Sequence, residues 1–391
     1  MGKWRKCKIG DVAFSNVRSV GKDYQYKDIL YLDTGSITRG RIEEVQEFSL
    51  VDAPSRAKRL VQDQDIIYST VRPIQRHYGF IRTPPKNLVV STGFSVITAK
   101  KEEAEPLYLY YLLTSDERVE ELDVIAEAST SAYPSLRPAD IEALDIEIPK
   151  STKEQAAIAE VLCSLDDKID LLHRQNKTLE SIAETLFRQW FIEEEQKYTK
   201  LGLVIETTSG GTPSRSNMGF YEDGTHYWVK SKELNGKFIL DTEEKITDEA
   251  VKKSSAKILP AYSVLIAMYG ATVGEYALIS KPMTCNQAIC AVLPNERYPY
   301  TFLFMFIKSM KDKIMSMAVG SAQQNVSQIL IKQLDIPEAC PKIIEFSNLV
   351  APLFEKIENN LLQTLKLERL HDNLLPKLMS GEVRVQYQEA V

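Results

Sequence analysis

The side chains of this chain best suited to binding are guanidinium, amide and hydroxyl groups in predicted loops. Guanidinium and amide groups pair bidentately with the edges of nucleic acid bases, whereas backbone amides and small hydroxyls bind phosphates. In the first hundred residues the candidates are Arg39, Arg41, Arg72, Gln75, Arg76 and His77. In the second half they are Ser209, Gly211, Thr212, Ser214, Arg215, Lys230, Lys232, Asn235, Lys237 and Tyr269. Each could instead be a solvated or turn residue, and Gly210-Gly211-Thr212-Pro213 could be a turn that shapes its loop.

Motifs for catalysis are missing from the sequence. The segment from Gly270 to Gly274 is shorter than a P-loop and is followed by Glu275 where lysine is required, so it predicts a tight turn between strands. Thr83-Pro84-Pro85-Lys86 lacks the acceptor residue and the aromatic residue of an adenine methyltransferase motif. The 4 histidines and 5 cysteines are scattered, without metal-ligand or triad spacing. We therefore expect no catalytic residues, no metal and no cofactor, and free thiols in a reducing cytoplasm.

The charge of the chain is distributed unevenly. The formal net charge is -6. Residues 1–100 are nevertheless basic, residues 101–197 are strongly acidic, and the remainder is balanced. A basic segment suits a polyanion such as nucleic acid, although scattered lysine and arginine are more often a solvated face. The sequence has no apolar run long enough to span a membrane.

A long helix is predicted from Lys153 to Trp190. Apolar residues recur there at alternating intervals of four and three, with Asn176 in the one polar slot, which is the pattern of a coiled-coil seam. At about 1.5 Å per residue the helix would be a rod of roughly 55 Å. The same seam returns near the C-terminus, where Asn360, Thr364 and His371 take polar positions that would fix the register. The predicted seam comprises Ile158, Leu162, Leu165, Ile169, Leu172, Leu179, Leu186, Phe346, Val350, Leu353, Ile357, Leu367, Leu374 and Leu378.

The two rods belong to an internal repeat with an offset of roughly 190 to 200 residues. Tyr31-Leu32-Asp33 corresponds to Trp228-Val229-Lys230, and later strings from 65, 106 and 144 find partners at 264, 299 and 334 in the same order. The chain therefore alternates globule, rod, globule and rod. Because the first rod leads out of one globule and the second leads back, we expect the rods to pair antiparallel. A pseudo-two-fold axis would then relate the globules, and such dimer-like symmetry suits duplex DNA.

Strings in both halves resemble the specificity subunit of type I restriction-modification systems. They are Thr208–Arg215, Gly320–Ser327, Leu334–Pro337 and Leu374–Glu382 in the second half, with Glu154-Gln155 and Leu186–Phe191 in the first. The first globule departs from this pattern, with Phe14-Ser15-Asn16-Val17-Arg18 and Ser129–Ser135 replacing the corresponding motifs. Such differences are expected if the two halves read different sequences.

The resemblance implies an α+β fold with two β-rich target-recognition domains and two long antiparallel coiled-coil helices. The implied boundaries are 1–150 and 194–337 for the recognition domains, 151–193 and 338–381 for the helices, and 382–391 for a polar tail. The resemblance also implies a non-catalytic cytoplasmic subunit. Its implied partners are double-stranded DNA with a bipartite site, two adenine methyltransferase subunits and ATP-dependent restriction/translocase subunits. The alternative is a scaffold protein with two β-rich interaction modules on a helical hairpin and no nucleic acid.

Overall fold

The fold consists of two compact units and two long helices that run through both. The computed structural model describes residues 4–129, 133–318 and 325–386. The first unit comprises Met1–Ile169 with Leu367–Val391, and the second comprises Asp170–Lys366.

The first unit is built largely from short strands before the first long helix. Its strands are β1 Trp4–Lys8, β2 Ala13–Ser15, β3 Asp28–Leu32, β4 Ile37–Thr38, β5 Arg41–Ile42, β6 Gln46–Ser49, β7 Ala57–Leu60, β8 Ile66–Ser69, β9 Tyr78–Phe80, β10 Leu88–Ser91, β11 Phe94–Ala99 and β12 Asp145–Pro149. Its shorter helices are α1 Ile9–Val12, α2 Pro106–Thr114, α3 Asp116–Glu127 and α4 Pro138–Glu142.

These strands form two four-stranded sheets, ordered β6-β3-β10-β7 and β2-β11-β8-β9, while β1 pairs with β12 and β4 with β5. The strands β3 and β10 run parallel, and the other pairs are antiparallel. The β8 strand is buried on both faces, which matches its three successive apolar residues before Ser69. Helix α2 packs in the same core as β8 and begins with Pro106, whose fixed φ suits a first helical turn.

The first long helix, α5, spans Thr152–Phe191 and links the two units. Its start is held by Gln155, which is fully buried: the side-chain amide donates to the Pro149 carbonyl at 2.7 Å and accepts from the Glu105 amide at 2.8 Å. A buried amide with both ends satisfied fixes the direction in which the helix leaves the first unit.

The second unit repeats this plan and then enters the second long helix. Its strands are β13 Tyr198–Lys200, β14 Thr207–Ser209, β15 His226–Val229, β16 Phe238–Ile239, β17 Lys245–Ile246, β18 Val264–Ala267, β19 Tyr276–Ile279, β20 Thr284–Cys285, β21 Ile289–Val292 and β22 Asp335–Pro337. Its helices are α6 Leu201–Val204, α7 Asp248–Lys253, α8 Tyr300–Ser309, α9 Lys311–Ala318, α10 Gln328–Lys332 and the long α11 Pro341–Met379.

The predicted repeat is confirmed at the level of topology. The sheet order β14-β21-β18-β19 in the second unit matches β2-β11-β8-β9 in the first, and β15 runs parallel to β20 as β3 does to β10. In each unit the first strand pairs antiparallel with the last, as β1 with β12 and as β13 with β22. Gly40 and Gly236 occupy equivalent positions with φ of 79° and 75°, a conformation that glycine adopts without strain.

The long helices contact each other in antiparallel order. Within the second unit, Trp190 and Phe191 near the end of α5 pack on Phe346 near the start of α11, with ring centroids 6.1 and 5.4 Å apart. Farther along, Asn360 donates to the Asn176 side-chain oxygen at 2.8 Å. Both asparagines are buried. The polar slot expected from the sequence is therefore filled by a matched pair.

The buried stripe of each helix is wider than the predicted seam. Every predicted seam residue is buried or half-buried, but Ala159, Phe187, Phe191, Phe354 and Leu375 are buried as well. These residues belong to the hydrophobic cores of the two units. The helices therefore cover their globules as well as each other, and the expectation of a narrow seam was wrong for this reason.

Two segments of the first unit differ from what their residue patterns indicate. The apolar run from Leu88 to Thr98 is typical of a single strand, but Thr92-Gly93 forms a turn that divides it into β10 and β11, which belong to different sheets. The segment before Pro149 has little helical period, yet α3 follows α2 almost directly and buries Val119 and Leu122. Its apolar positions are few, so the 3.6-residue period was weak.

The asparagine pair gives a testable prediction. Asn360→Leu alone should destabilise the chain by about 1–3 kcal/mol, because it leaves the buried side-chain oxygen of Asn176 without its donor. The double substitution Asn176→Leu/Asn360→Leu should recover this loss, since a leucine pair extends the apolar seam. Urea unfolding of the wild type, both single variants and the double variant measures the coupling. Additive losses in the double variant would contradict the proposed pairing.

Candidate nucleic-acid interface

The predicted binding residues of the first unit come from two loops that meet in space. One is the β4–β5 hairpin, which carries Arg39 and Arg41, and the other joins β8 to β9 and carries Arg72 to His77. The Arg39 amide donates to the Arg76 carbonyl and the Gly40 amide to the Tyr78 carbonyl, each at 2.8 Å. Backbone hydrogen bonds thus join segments that lie more than thirty residues apart in sequence.

The side chains on this joined surface divide into exposed and engaged groups. Arg39, Arg72 and Gln75 are exposed. The Arg76 guanidinium forms an ion pair with Asp116 at 2.5 Å, and the His77 ring donates through Nδ1 to the Ile37 carbonyl at 2.6 Å. These two residues hold the loop in place, so the sequence alone did not separate binding side chains from those that support them.

The remaining residue of this group, Arg41, is about half exposed and lies 3.9 Å from Glu368 of α11. At that distance and exposure the ion pair contributes little to stability. The guanidinium remains accessible to a polyanion.

In the second unit, the Gly210-Gly211 string is part of the scaffold. A side chain at either glycine would collide with backbone, at residues 285–286 for Gly210 and at 255–256 for Gly211. The Gly211 carbonyl accepts a hydrogen bond from the Trp228 indole at 3.0 Å. Close backbone approach explains both glycines and supports the turn interpretation of this string.

The hydroxyl groups around these glycines also have partners within the chain. Ser209 donates to the Gln328 side chain at 3.2 Å, Thr212 hydrogen-bonds to Gln287, and Ser214 lies 2.8 Å from the Ser216 hydroxyl. Thr212 and Ser214 are exposed, whereas Ser209 is half-buried. The two exposed hydroxyls are the ones that a phosphate can reach.

Most of the predicted cations of the second unit are paired with two glutamates. Lys230 contacts Glu243 and Glu244 at 2.9 and 3.0 Å, Lys232 contacts Glu243 at 2.7 Å, and Arg215 contacts Glu244 at 2.7 Å. Lys232 and Lys230 lower the pKa of Glu243 to about 2. Partial burial opposes the shift at Glu244, but Lys230 and Arg215 still lower its pKa. Both carboxylates are thus ionised near neutral pH and reduce the positive charge of this surface.

Arg215 also stacks on aromatic rings. Its guanidinium lies 4.2 Å from the Tyr221 ring centroid and 5.2 Å from that of Trp228. Stacking with an additional ion pair fixes the orientation of the side chain.

The other predicted residues of the second unit lie on different turns. Asn235 and Lys237 are exposed on the turn before β16, where the Asn235 side chain accepts from the Lys237 amide at 3.2 Å. Tyr269 is exposed on the turn after β18. That turn contains Gly270–Thr272 as a short 3-10 helix, so the predicted tight turn between strands is confirmed.

A basic and aromatic group that the sequence analysis missed lies on the β17-β15-β20 sheet and the segment before β20. The ammonium groups of Lys281 and Lys245 lie 3.7 and 4.5 Å from the centroid of the Tyr227 ring. A hydrogen bond from Lys281 lowers the pKa of the Tyr227 phenol. Local sequence pattern carries no signal for this group, because Lys245 and Lys281 are far apart in sequence.

Metal and membrane features can be judged for the part of the chain that the structure describes. Within it, no cluster of His, Cys, Asp and Glu could hold a metal ion. In the same residues, no helix combines the length and apolarity needed to cross a bilayer. Cys285 and Cys290 are buried, and desolvation raises the pKa of each thiol to about 12.

The fold is that of a protein built from a duplicated domain. A family model described as the type I restriction modification DNA specificity domain matches residues 1–181 and again 193–338. This chain therefore belongs to the family of type I restriction modification DNA specificity domains. The family resemblance predicted from the sequence is confirmed.

Individual relatives agree with this assignment. The type I restriction enzyme HindI specificity subunit of Haemophilus influenzae is 26% identical, with 98% of this chain and 100% of the relative aligned. The MjaIX specificity subunit of Methanocaldococcus jannaschii is 28% identical over 93% of this chain and 86% of the relative. The crystal structure of a type I restriction-modification S subunit from M. genitalium covers 96% of both chains with a TM-score of 0.63 and 15% identity, which shows a shared fold.

Residues Gly320–Gln324, from one of the strings that carried the resemblance, lie outside the described residues. So do Thr130-Ser131-Ala132, from the segment of the first globule that departs from the family pattern. Other strings fall on ordered elements. Leu334–Pro337 leads into and forms β22, and Leu374–Met379 ends α11.

Proposed function

We propose that this chain is the sequence-specificity subunit of a type I restriction-modification complex. It recognises a bipartite DNA site, one half for each unit, and bridges two adenine methyltransferase subunits. The methyltransferase, ATPase and nuclease activities belong to other subunits, and the complex works in the cytoplasm. The observation that carries the proposal is the repeated topology, in which each unit presents different side chains on the same scaffold.

The domain boundaries that we propose follow the long helices. Residues 1–150 and 194–337 are the recognition domains. The two long helices connect them. A polar tail follows at 382–391.

The long helices also carry apolar side chains that neither unit covers. Leu171 and Ile182 on α5 and Leu349, Leu362 and Leu370 on α11 are exposed. Helices of the methyltransferase subunits would bury these residues, since the interior of a helical bundle needs apolar partners. Restriction/translocase subunits would join the complex through the methyltransferase subunits.

The proposal is tested by filter binding of duplex DNA to the chain, alone and with its methyltransferase partner. We expect sequence-preferring binding that requires the partner and weakens as salt concentration rises. Sequencing of methylated adenines in the host genome should return one two-part motif. The absence of any DNA binding in the assembled complex would favour the alternative, a scaffold protein with two β-rich interaction modules.

Arg72→Ala should weaken specific DNA binding by the assembled complex, because it removes an exposed guanidinium from the joined surface of the first unit. The fold and the pairing with methyltransferase should remain intact. Affinity for the specific site, measured at moderate salt, is the readout. An unchanged affinity would reject the assignment.

The spacer between the two half-sites should depend on the length of the long helices. A four-residue insertion in α5, matched by one in α11, lengthens the helical connection by about 6 Å. We expect the preferred spacer to increase by about 2 base pairs, since successive pairs are about 3.4 Å apart. Selection of bound sites from a library with randomised spacers measures this. An unchanged spacer would show that the helices do not set it.

A further inference from the structure

The turn after β8 and the turn after β18 have the same backbone environment. In the first unit, the Thr70 amide donates to the Gly93 carbonyl at 2.8 Å and the Leu136 amide to the Thr70 carbonyl at 2.7 Å. In the second unit, Met268 donates to Ala288 and Val326 to Met268, both at 2.8 Å. The next residues form isolated antiparallel bridges, Val71 with Ser135 and Tyr269 with Asn325. In each unit this turn is therefore held against an equivalent neighbouring segment, which contains Ser135 in the first unit and Asn325 in the second.

Backbone conformation is matched as well, although the residues are not. Arg72 has φ of 46° and its equivalent is Gly270 with φ of 70°, while Arg76 has φ of 59° and its equivalent is Gly274 with φ of 83°. Only glycine enters this left-handed region without strain. The first unit thus keeps arginine at two positions where glycine is preferred, and such strain points to a function.

The two arginines differ in what their side chains do. Arg76 pairs with Asp116 at 2.5 Å, and the neighbouring Ile74 amide donates to Asp123 at 3.1 Å, so this end of the turn is fixed on α3. Arg72 is exposed, and its guanidinium lies 6.0 Å from the centroid of the Tyr133 ring, which is also exposed. Arg76 therefore supports the turn, while Arg72 presents a charged planar group to an incoming partner.

The side chains at the matched positions differ in chemistry. The first unit offers the exposed Val71 and Arg72 with the half-buried Ser135, and the second offers the exposed Tyr269 and Gly270 with the half-buried Asn325. Arginine pairs bidentately with guanine, whereas asparagine pairs bidentately with adenine. A constant backbone that carries different polar side chains is suited to reading different bases at one position of each half-site.

We propose that this turn and its bridged strand segment form the base-reading position of each unit. Arg72 reads the half-site of the first unit, and Tyr269 with Asn325 reads that of the second. Arg76 is a positioning residue. This inference rests on the proposed function and adds to it the residues that discriminate between bases.

Arg72→Gly is the main test, because glycine suits the left-handed conformation and matches Gly270. The full chain, assembled with its methyltransferase partner, is used to select duplexes from a randomised library. We expect preference to fall roughly 5- to 150-fold at one base of one half-site, which corresponds to losing a bidentate contact. The melting temperature should stay the same or rise, because strain is removed.

Two controls separate base reading from simple charge. Lys101→Ala removes an exposed positive charge elsewhere in the first unit and should leave the preference unchanged. Arg72→Lys keeps the charge but loses the planar fork, so it should lose preference like the glycine variant. Full preference in the lysine variant would overturn the proposal and indicate a phosphate contact.

The second unit supplies the reciprocal test. Asn325→Ala and Tyr269→Phe should change preference only in the other half-site. If the wild-type complex selects a two-part motif and none of these substitutions alters any base of it, this inference fails while the proposed function stands. If the wild-type complex selects no motif, the proposed function itself fails.

Discussion

Phe346→Ala should destabilise the second unit by about 3–5 kcal/mol. Phe346 is fully buried on α11. Its ring makes edge-on contacts with Phe187 and Phe191 of α5 at centroid distances of 5.7 and 5.4 Å, and with Phe302 of α8 at 6.5 Å. Truncation therefore opens a cavity where both long helices meet the core of the unit, and it also removes the aromatic contacts.

Urea unfolding followed by tryptophan fluorescence is a suitable measurement, because Trp190 lies 6.1 Å from the Phe346 ring. Leu349→Ala is the matched control. Leu349 lies less than one turn farther along α11 but is half exposed, so its loss should cost less than about 0.5 kcal/mol. Equal losses for the two variants would contradict the packing described here.

Arg18→Ala should destabilise the first unit by about 3 kcal/mol, because it leaves a buried carboxylate without its charged partner. Asp65 is completely buried and lies 2.6 Å from the Arg18 guanidinium. Asp65 also accepts from the Thr98 hydroxyl at 2.7 Å and the Gln62 amide at 2.8 Å. Because Arg18 is about one-third exposed, the loss should lie near the lower end of the range for broken buried pairs.

The second unit suggests the compensating change. The Ser263 carbonyl accepts from the Ile279 amide as the Asp65 carbonyl accepts from the Ile81 amide, so the fully buried Ser263 is the equivalent residue. Asp65→Ser in the Arg18→Met background should therefore recover much of the loss, since it leaves no buried charge without a partner. Thermal unfolding of Arg18→Ala, Arg18→Met and the double variant tests this. A double variant less stable than Arg18→Met would indicate that the Asp65 carboxylate is needed for the hydrogen bonds that it accepts from Thr98 and Gln62.

The two units thus form equivalent parts of their cores from different residues. The first has a buried ion pair and tyrosines where the second has a buried serine and phenylalanines. At one such place, Tyr111 donates to Asp166 at 2.8 Å in the first unit, whereas Phe304 packs on Phe354 at 5.6 Å in the second. Shared topology with divergent contacts explains why the repeat was visible in the sequence only as short strings.

The joined surface of the first unit also changes how the basic residues should be interpreted. Positive charge is useful to a polyanion only where it is exposed and not already neutralised. Arg39 and Arg72 meet this condition, whereas Lys230, Lys232 and Arg215 share Glu243 and Glu244. The candidate binding surfaces of the two units therefore differ in charge.

The sequence by itself determined the long helices, their antiparallel order and the internal repeat. Helical periodicity is a local property, so the 3.5-residue spacing of apolar residues from Ile158 onward was sufficient. Chain direction then required that a helix leading out and a helix leading back pair antiparallel. The family strings added the function that the composition could only suggest.

Only the tertiary structure decided which candidate side chains are available for binding. Arg39 meets the Arg72 turn, Arg76 is engaged by Asp116, and Lys230 is neutralised by two glutamates through contacts between segments separated in sequence. The tertiary structure also divided β10 from β11, because the turn at Gly93 sends the chain into a second sheet. Ion pairing and sheet membership depend on which distant segments become neighbours. The local residue pattern does not determine this, because the contacts join residues that are far apart in sequence.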